Sequence, residues 1–315
     1  MLRLFVTVFI LSLGAVHVRA SDELSKHAYE IVFGSFRNGD FASSLFAISV
    51  DGSRERQICE HESGRPTCLD PTVAPDFSTI LFTRGGSNHR TSVWGLNTEL
   101  GSESRLTDAV NIRFDGGRAT PRLSPGGQRF VYSSNLSGSD HIFVADVDGR
   151  HTQQLTGDAG NNTYAAWSPD GELIAFASDR SGSSQVYVMT KDGKNQRAVS
   201  SVEIPATYPS WSPDGKRLIF SGSVDGEQFD LYVLVLESGD MRRILARADL
   251  SERHASWSPD GELIAFSSKT KDSLRSFDRS IFVMNADGSA VRQLTQSKYH
   301  DFTPSWRVAA APTIR

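Results

Sequence analysis

The decapeptide "WSPDGELIAF" occurs twice in the chain, at residues 167–176 and 257–266, and "WSPDGKRLIF" lies between the two copies at 211–220. The tryptophans that open these segments are 44 and 46 residues apart. A segment that returns with a period of this size is typical of proteins built from repeated structural units. Weaker copies extend the series on both sides, and the six repeat anchors are Val73, Leu123, Trp167, Trp211, Trp257 and Trp306.

Each unit has the pattern of four short strands. In the unit of Trp211 they are "TYPSW" (207–211), "RLIFSG" (217–222), "DLYVLVL" (230–236) and "MRRIL" (241–245). The first two are joined by "SPDG", whose proline, aspartate and glycine suit a tight turn. Other units place Asp-Gly between the third and fourth strands, which is a strong hairpin signal. The sequence therefore predicts consecutive antiparallel strands in every unit.

The two ends of the repeat series complete each other. Residues 29–36, 44–50 and 54–59 form a unit that lacks its anchor strand, whereas the "TPSW" strand at 303–306 lacks the other three. Joined, they make one complete unit, which removes the exposed edges of a linear array. Four-stranded units with a period in the forties are typical of propellers. We therefore predict an all-β, six-bladed β-propeller with the first blade closed by the C-terminal strand.

The repeats resemble the TolB-like propeller family, which is also called WD40-like. The resemblance rests on "YPSWSPDGKRLIFSGS" (208–223), on "WSPDGELIAFASDRSGSSQVYVMTKDG" (167–193) and on the closing strands "QQLT" (153–156) and "RQLT" (292–295). It implies the propeller fold and is much less specific for function. TolB itself, as the resemblance implies, is a periplasmic, partner-binding protein with an α/β domain ahead of its propeller. Residues 21–28 are too short for that domain, so we expect it to be absent.

The N-terminus has the pattern of a secretory signal peptide. "MLR" is basic, residues 4–16 are apolar, and Val18-Arg19-Ala20 places small residues where signal peptidase reads. The alternative is a membrane anchor, although the apolar stretch is shorter than the roughly 20 residues of a full span. The predicted division is a signal peptide (1–20), an N-terminal tail (21–28), the propeller (29–307) and a C-terminal tail (308–315). We therefore expect the protein in the periplasm if its source is a Gram-negative bacterium, and we expect it to be secreted if its source is another organism.

The chain has two cysteines, Cys59 and Cys68, which flank the loop "EHESGRPT" at 60–67. In an oxidising compartment such a pair usually forms a disulfide, and we predict a bridge that staples this loop. The alternatives are two free thiols or a metal site with His61. Two sulfurs and one imidazole are too few for a structural zinc site.

Composition narrows the function classes. The formal net charge is −4 and 22 % of the residues are charged, which does not favour nucleic-acid binding. The chain lacks a G-x-S-x-G nucleophile elbow. We predict no cofactor, leave open an ion in the channel, and expect a monomer without a transmembrane segment after signal cleavage. Its expected partner is a protein of the envelope or of the secreted fraction.

The repeated residues are predicted to be scaffold. The tryptophans fill the wedge between neighbouring blades, and the aspartate of "SPDG" is a turn residue. These uniform turns emerge on one face of a propeller, whereas the variable loops at 62–70, 108–120, 157–164 and 268–280 emerge on the other. Loops that vary on a rigid scaffold are where binding sites are usually built.

The residue three positions before each anchor is predicted to lie near the mouth of the central channel. These residues are Asp70, Thr120, Tyr164, Tyr208, His254 and Thr303. From them and their neighbours we predict the binding residues Arg118, Tyr164, Tyr208, Arg253, His254, His300 and Asp301. The alternatives are a solvated rim without a ligand and a metal held by the two histidines. The predicted function is a non-enzymatic, protein-binding or scaffold module, with a carbohydrate-active lyase or hydrolase on the same face as the alternative.

Overall fold

The structure is a computed structural model that describes residues 29–37, 43–59, 68–76, 78–85, 90–107, 110–111, 119–135, 138–157, 160–226, 228–245, 247, 250–270, 278–296 and 299–308. The predicted signal peptide and N-terminal tail lie outside these residues, as does the chain after Val308. The first twelve strands are β1 (Tyr29–Ser35), β2 (Ser44–Ser49), β3 (Arg56–Cys59), β4 (Cys68–Val73), β5 (Thr79–Gly85), β6 (Arg90–Asn97), β7 (Glu103–Arg105), β8 (Val110–Asn111), β9 (Arg122–Leu123), β10 (Arg129–Ser134), β11 (His141–Asp146) and β12 (Gln153–Gln154). The others are β13 (Asn162–Trp167), β14 (Leu173–Ser178), β15 (Gln185–Thr190), β16 (Arg197–Ala198), β17 (Ala206–Trp211), β18 (Arg217–Gly222), β19 (Asp230–Val235), β20 (Met241–Leu245), β21 (Leu250–Trp257), β22 (Leu263–Thr270), β23 (Ser280–Asn285), β24 (Arg292–Gln293) and β25 (Asp301–Val308).

These strands form six antiparallel sheets, which are the blades of a propeller. Blade 1 has the order β25-β1-β2-β3, blade 2 contains β4 to β7, blade 3 β9 to β12, blade 4 β13 to β16, blade 5 β17 to β20, and blade 6 β21 to β24. Within the part of the chain that the structure describes there is no helix. In blade 1, Ile31 of β1 lies opposite Trp306 of β25. The predicted six-bladed propeller and its closure by the C-terminal strand are therefore confirmed.

Blade 2 departs from the predicted four strands. The short strand β8, from the variable loop at 108–120, pairs with the first residues of β6. Strand β7 pairs with Trp94, Gly95 and Leu96 of β6 and does not reach the start of that strand, where β8 pairs instead. The loop therefore turns back to pair with this edge, which otherwise would be open.

The core lies between the blades and is as repetitive as the sequence. The second strand of every blade carries a completely buried phenylalanine, and these residues are Phe33, Phe82, Phe130, Phe176, Phe220 and Phe266. Several stack on an aromatic residue of the third strand, as Phe220 does on Tyr232 at a ring-centroid distance of 5.8 Å. Ile219 and Leu231 of blade 5 share one apolar cluster with Trp257 and Phe266 of blade 6. Burial of these faces holds neighbouring blades together.

Two of the repeated tryptophans, Trp211 and Trp306, hydrogen-bond to the blade before their own. The indole Nε1 of Trp211 donates to the carbonyl oxygen of Ala166 at 3.1 Å, and that of Trp306 donates to Ser256 at 2.8 Å. Both rings are nearly buried, so the polar edge of each finds an acceptor on the innermost strand of the preceding blade. The packing role predicted from the repeat agrees with this geometry.

The "SPDG" turns are built alike in the three best copies. In the first, the Ser168 hydroxyl donates to Asp170 Oδ1 at 2.5 Å, and the same oxygen accepts the Glu172 amide at 3.0 Å. These hydrogen bonds lower the pKa of the exposed Asp170 carboxyl. A Cβ added to Gly215 would stand 3.7 Å from the ring of Pro169, so successive turns pack against one another around the ring. The decapeptide that recurs in the sequence is therefore scaffold.

Candidate binding site in the central channel

The first strands of the blades surround a cavity of about 240 Å³ on the propeller axis. Its walls come from β4, β9, β13, β17, β21 and β25. It extends along β13 from Tyr164, towards the variable loops, to Pro169 in the uniform turn. The walls consist of two layers of side chains, because blades 3, 4, 5 and 6 contribute lining residues at two heights.

Of the six residues predicted at the channel mouth, Thr120, Tyr164, Tyr208 and His254 line the cavity as its outer layer. All six have left-handed backbone, with φ between 36° and 57°: Asp70, Thr120, Tyr164, Tyr208, His254 and Thr303. This conformation is strained for residues other than glycine, most of all for β-branched ones. In blades 4, 5 and 6 the pairing of the first strand shifts at this point, as between Thr163 and Ala166. Such bulges re-aim side chains, and strain of this kind clusters at functional sites.

Three of these residues, on adjacent blades, form a continuous aromatic wall. The rings of Tyr164 and Tyr208 have centroids 3.9 Å apart, and those of Tyr208 and His254 are 4.1 Å apart. The two tyrosine hydroxyls are joined by a hydrogen bond of 3.2 Å. Nδ1 of His254 lies 2.8 Å from the Ser267 hydroxyl. The wall combines flat apolar surface with hydroxyl and imidazole groups, and it lines the cavity.

The inner layer consists of the residues one position before each anchor. All six line the cavity: Thr72, Arg122, Ala166, Ser210, Ser256 and Ser305. Five are small, and Arg122 is the exception. Its Nη1 donates to the carbonyl oxygen of Pro121 at 2.9 Å. Burial lowers the pKa of Arg122, and the charge of Asp70 and the phenol of Tyr208 offset that effect in part. Sequence reasoning missed this residue, although one arginine among five small residues at the same repeat position was visible.

Two further arginines, Arg253 and Arg279, lie close to each other, and Arg279 is within electrostatic range of Tyr208. The guanidinium carbon of Arg253 stands 3.7 Å from the ring centroid of Phe229, and Arg279 Nη1 donates to the carbonyl oxygen of Ser251 at 3.1 Å. Burial first, and then the charge of Arg253, lower the pKa of Arg279 to about 10, so it stays protonated at neutral pH. The mouth of the channel therefore combines aromatic rings with positive charge.

The remaining predicted site residues have other surroundings. His300 packs with ring-centroid distances of 5.7 Å to Phe36 and 5.0 Å to Phe302. Asp301 is completely buried in blade 1, 3.5 Å from a guanidinium nitrogen of Arg37, and burial raises its pKa. This buried pairing favours a structural role for Asp301. Arg118 lies outside the described residues.

The described residues hold no group of three or more histidine, cysteine or acidic side chains that could bind a metal ion. His254 and His300 belong to different clusters, the first to the aromatic wall and the second to the phenylalanines of blade 1. His61, the third residue considered with the cysteines, lies outside the described residues.

The two cysteines are buried and are not joined to each other. Cys59 Sγ donates to Glu103 Oε1 at 3.0 Å. Arg84 binds the other oxygen of Glu103 at 2.5 Å, and the same nitrogen lies 3.8 Å from Cys68 Sγ. Arg84 and Glu103 therefore link the two thiols through one polar cluster between blades 1 and 2. The disulfide stays a prediction.

Comparison with known proteins identifies the repeats. The family model described as "TolB beta propeller domain" matches residues 45–205 and 192–311. The Tol-Pal system protein TolB of Gluconobacter oxydans is 32 % identical over 116 residues, which are 37 % of this chain and 24 % of that protein. The chain therefore spans about a quarter of the length of this curated relative.

Solved structures extend the likeness to the whole fold. TolB from Acinetobacter baumannii superimposes with a TM-score of 0.74 at 20 % identity, over 88 % of this chain and 66 % of that chain. An oligogalacturonate lyase from Vibrio parahaemolyticus superimposes with a TM-score of 0.56 at 13 % identity, over 85 % and 74 % of the two chains. At these identities the likeness concerns the fold alone. Among the described residues there is no helix long and apolar enough to span a membrane.

Proposed function

Because the chain belongs to the TolB β-propeller family, we propose that it is an exported, non-enzymatic module that binds a protein partner through the variable-loop face around its channel. The observation that supports this most is the wall of Tyr164, Tyr208 and His254 beside Arg253. Tyrosine and arginine are the side chains that most often anchor protein interfaces. A relative named as a Tol-Pal system protein is consistent with work at the cell envelope.

The two faces of the ring differ in what folding requires of them. On the uniform face the turns hydrogen-bond internally and pack against one another, so their residues are accounted for by the fold. On the other face the first strands hold Tyr164, Tyr208 and His254 in strained backbone. Glycine would satisfy that backbone without strain, so the presence of large side chains at these positions supports a role in recognition.

The alternative of a carbohydrate-active lyase or hydrolase uses the same cavity. Catalysis needs an acid or base that is free to meet a substrate. The rings of Tyr164, Tyr208 and His254 pack against one another, and Ser267 is in contact with His254 Nδ1. A wall of packed rings offers mainly flat contact surface, which suits recognition, so we favour binding.

Replacing Tyr208 and Arg253 together with alanine is expected to weaken capture of the native envelope partner at least tenfold, because hot-spot residues of these types are each worth about 2 kcal/mol or more. The measurement is quantitative pull-down from envelope extract, with the melting temperature followed in parallel. Both side chains are partly exposed at the mouth, so the fold should persist.

The matched control is the double variant Glu172→Ala and Lys216→Ala, which alters two exposed residues of the uniform face. It should bind the partner as the unmodified protein does. Capture that survives the loss of Tyr208 and Arg253 but fails in the control variant would assign binding to the opposite face.

Export and the disulfide can be tested together, since the bridge requires an oxidising compartment. Protein recovered from its native compartment is expected to begin at Ser21 and to weigh two hydrogens less than the reduced form. Intact-mass measurement before and after reduction checks both points. Retention of residues 1–20 in a membrane fraction contradicts signal cleavage, and two alkylatable thiols in the unreduced protein contradict the Cys59–Cys68 bridge.

A further inference from the structure

We propose that the guanidinium of Arg122 binds a carboxylate that the partner inserts into the channel from an extended peptide segment. The inference rests on the proposed function and names the chemistry of the partner segment that enters the cavity. It starts from the inner layer of the channel wall, where five small residues leave space and one arginine occupies it.

The hydrogen bonds of Arg122 leave most of its binding capacity unused. A guanidinium carries five N–H donors, and the one hydrogen bond of Arg122 within the described residues is to the carbonyl oxygen of Pro121. No carboxylate oxygen of those residues lies within ion-pair distance of it. A planar fork of donors in a confined cavity suits a carboxylate, which can accept two parallel hydrogen bonds.

The local charge is incompletely balanced. Asp70, on the neighbouring blade, and Tyr208, on the far side of blade 4, both favour the charged form of Arg122, yet burial outweighs them and its pKa is lowered. An incoming carboxylate would stabilise the charged form of Arg122 that burial disfavours. Because the negative charge of Asp70 repels an incoming anion, its removal should strengthen anion binding.

The cavity is suited to one side chain and its acid group. Its volume of about 240 Å³ is too small for a helix or a hairpin. Ser210, Ser256 and Ser305 of the inner layer offer hydroxyl donors around the same space. The tyrosine and histidine rings at the outer layer can contact the peptide that leads to the acid group. A glutamate or aspartate at the tip of an extended segment matches these features.

The test uses three probes with the full-length protein at low ionic strength, where charge attraction is least screened. They are the peptide acetyl-Gly-Glu-Gly-amide, its neutral match acetyl-Gly-Gln-Gly-amide, and D-galacturonate as a carboxylate carried by a sugar. Binding is measured by NMR titration. The glutamate peptide is expected to bind about tenfold or more tightly than the glutamine peptide, the ratio expected when a charge-assisted hydrogen bond is lost.

Four variants make the assignment specific. Arg122→Gln should abolish the preference for glutamate, Arg122→Lys should retain part of it, and Asp70→Asn should increase it. Arg150→Gln, at an exposed turn on the rim of blade 3, is the charge-matched control and should leave the preference unchanged. Arg122→Lys keeps the test decisive if the glutamine variant does not fold.

Each outcome bears on the inference. Equal binding of the two peptides, or a preference that survives Arg122→Gln, overturns it. Binding of galacturonate without binding of the glutamate peptide overturns the peptide assignment and points to a sugar acid. Partner capture that depends on Tyr208 and Arg253 while the glutamate preference is absent removes this inference and leaves the proposed function standing. A preference for the glutamate peptide in a protein that captures no partner overturns the proposed function and leaves the assignment of Arg122 as a carboxylate-binding residue standing.

Discussion

A protein that ends at Asp301 is expected not to fold. The truncation removes all but the first residue of β25, so β1 loses the partner that pairs Ile31 with Trp306. It also removes Phe302, whose ring packs on Gly34 so closely that an added Cβ would stand 2.7 Å away. Loss of a buried tryptophan alone costs about 3–5 kcal/mol, which is a large part of the 5–15 kcal/mol of a typical domain. The phenylalanine and a whole strand are lost in addition.

Thermal unfolding followed by circular dichroism, together with the fraction recovered in soluble form, measures this result. The control is a protein that ends at Val308, which keeps β25 intact and is expected to melt as the full-length chain does. A protein ending at Asp301 that also melted at the full-length temperature would contradict closure of blade 1 by β25.

The second large effect is expected for Gly149→Ala, in the hairpin turn of blade 3. Gly149 has φ +84°, and an added Cβ would stand 2.1 Å from the carbonyl oxygen of Leu106 in blade 2. The substitution therefore strains the turn and forces two blades apart. Left-handed backbone costs a residue with a Cβ about 1–2 kcal/mol, and overpacking adds about 1–3 kcal/mol.

Gly52→Ala supplies the matched control, because Gly52 has the same place in the turn of blade 1 and φ +85°, but the nearest atom to its added Cβ is 3.9 Å away. Gly52→Ala should lower the free energy of unfolding only by the cost of a residue with a Cβ in left-handed backbone. The difference between the two free energies of unfolding, from urea titration, measures the contact between blades 2 and 3. Equal losses in the two variants would show that this contact contributes nothing.

The six-bladed ring could be predicted from the sequence because the residues that recur in each repeat have the same packing role in each blade. The tryptophans recur because each ring packs in the wedge between two blades, and the indoles of Trp211 and Trp306 also donate to a carbonyl of the preceding blade. The positions at the channel mouth followed from the same register, as Tyr208 is three residues before its anchor. The strained backbone there was not predicted, because Thr120 and Thr303 are β-branched residues that propensity keeps out of left-handed conformations.

The contacts that arginine side chains make with other strands also could not be predicted from the sequence. Arg180 stacks on the rings of Phe176 and Tyr187 and donates to Asn162 across its blade. Local sequence shows only an arginine after a strand, since periodicity reports which face a residue occupies and not which side chains meet there. Arg122 differs in this respect. Comparing the six repeats position by position would have singled it out, because its equivalents are alanine, serine and threonine.

Closure of the first blade by the last strand has a consequence for the speed of folding. Ile31 and its partner Trp306 are 275 residues apart in the chain, whereas Phe176 and Tyr187, paired within blade 4, are separated by 11. By loop-closure entropy alone, the first pairing costs about 3 kcal/mol more than the second. Blades 2 to 6 can form from local contacts, whereas blade 1 must wait for the ends of the chain to meet. Folding is therefore expected to end with this slow closure, and until then the free edge of β1 and the unpaired strand β25 are open to association with other chains.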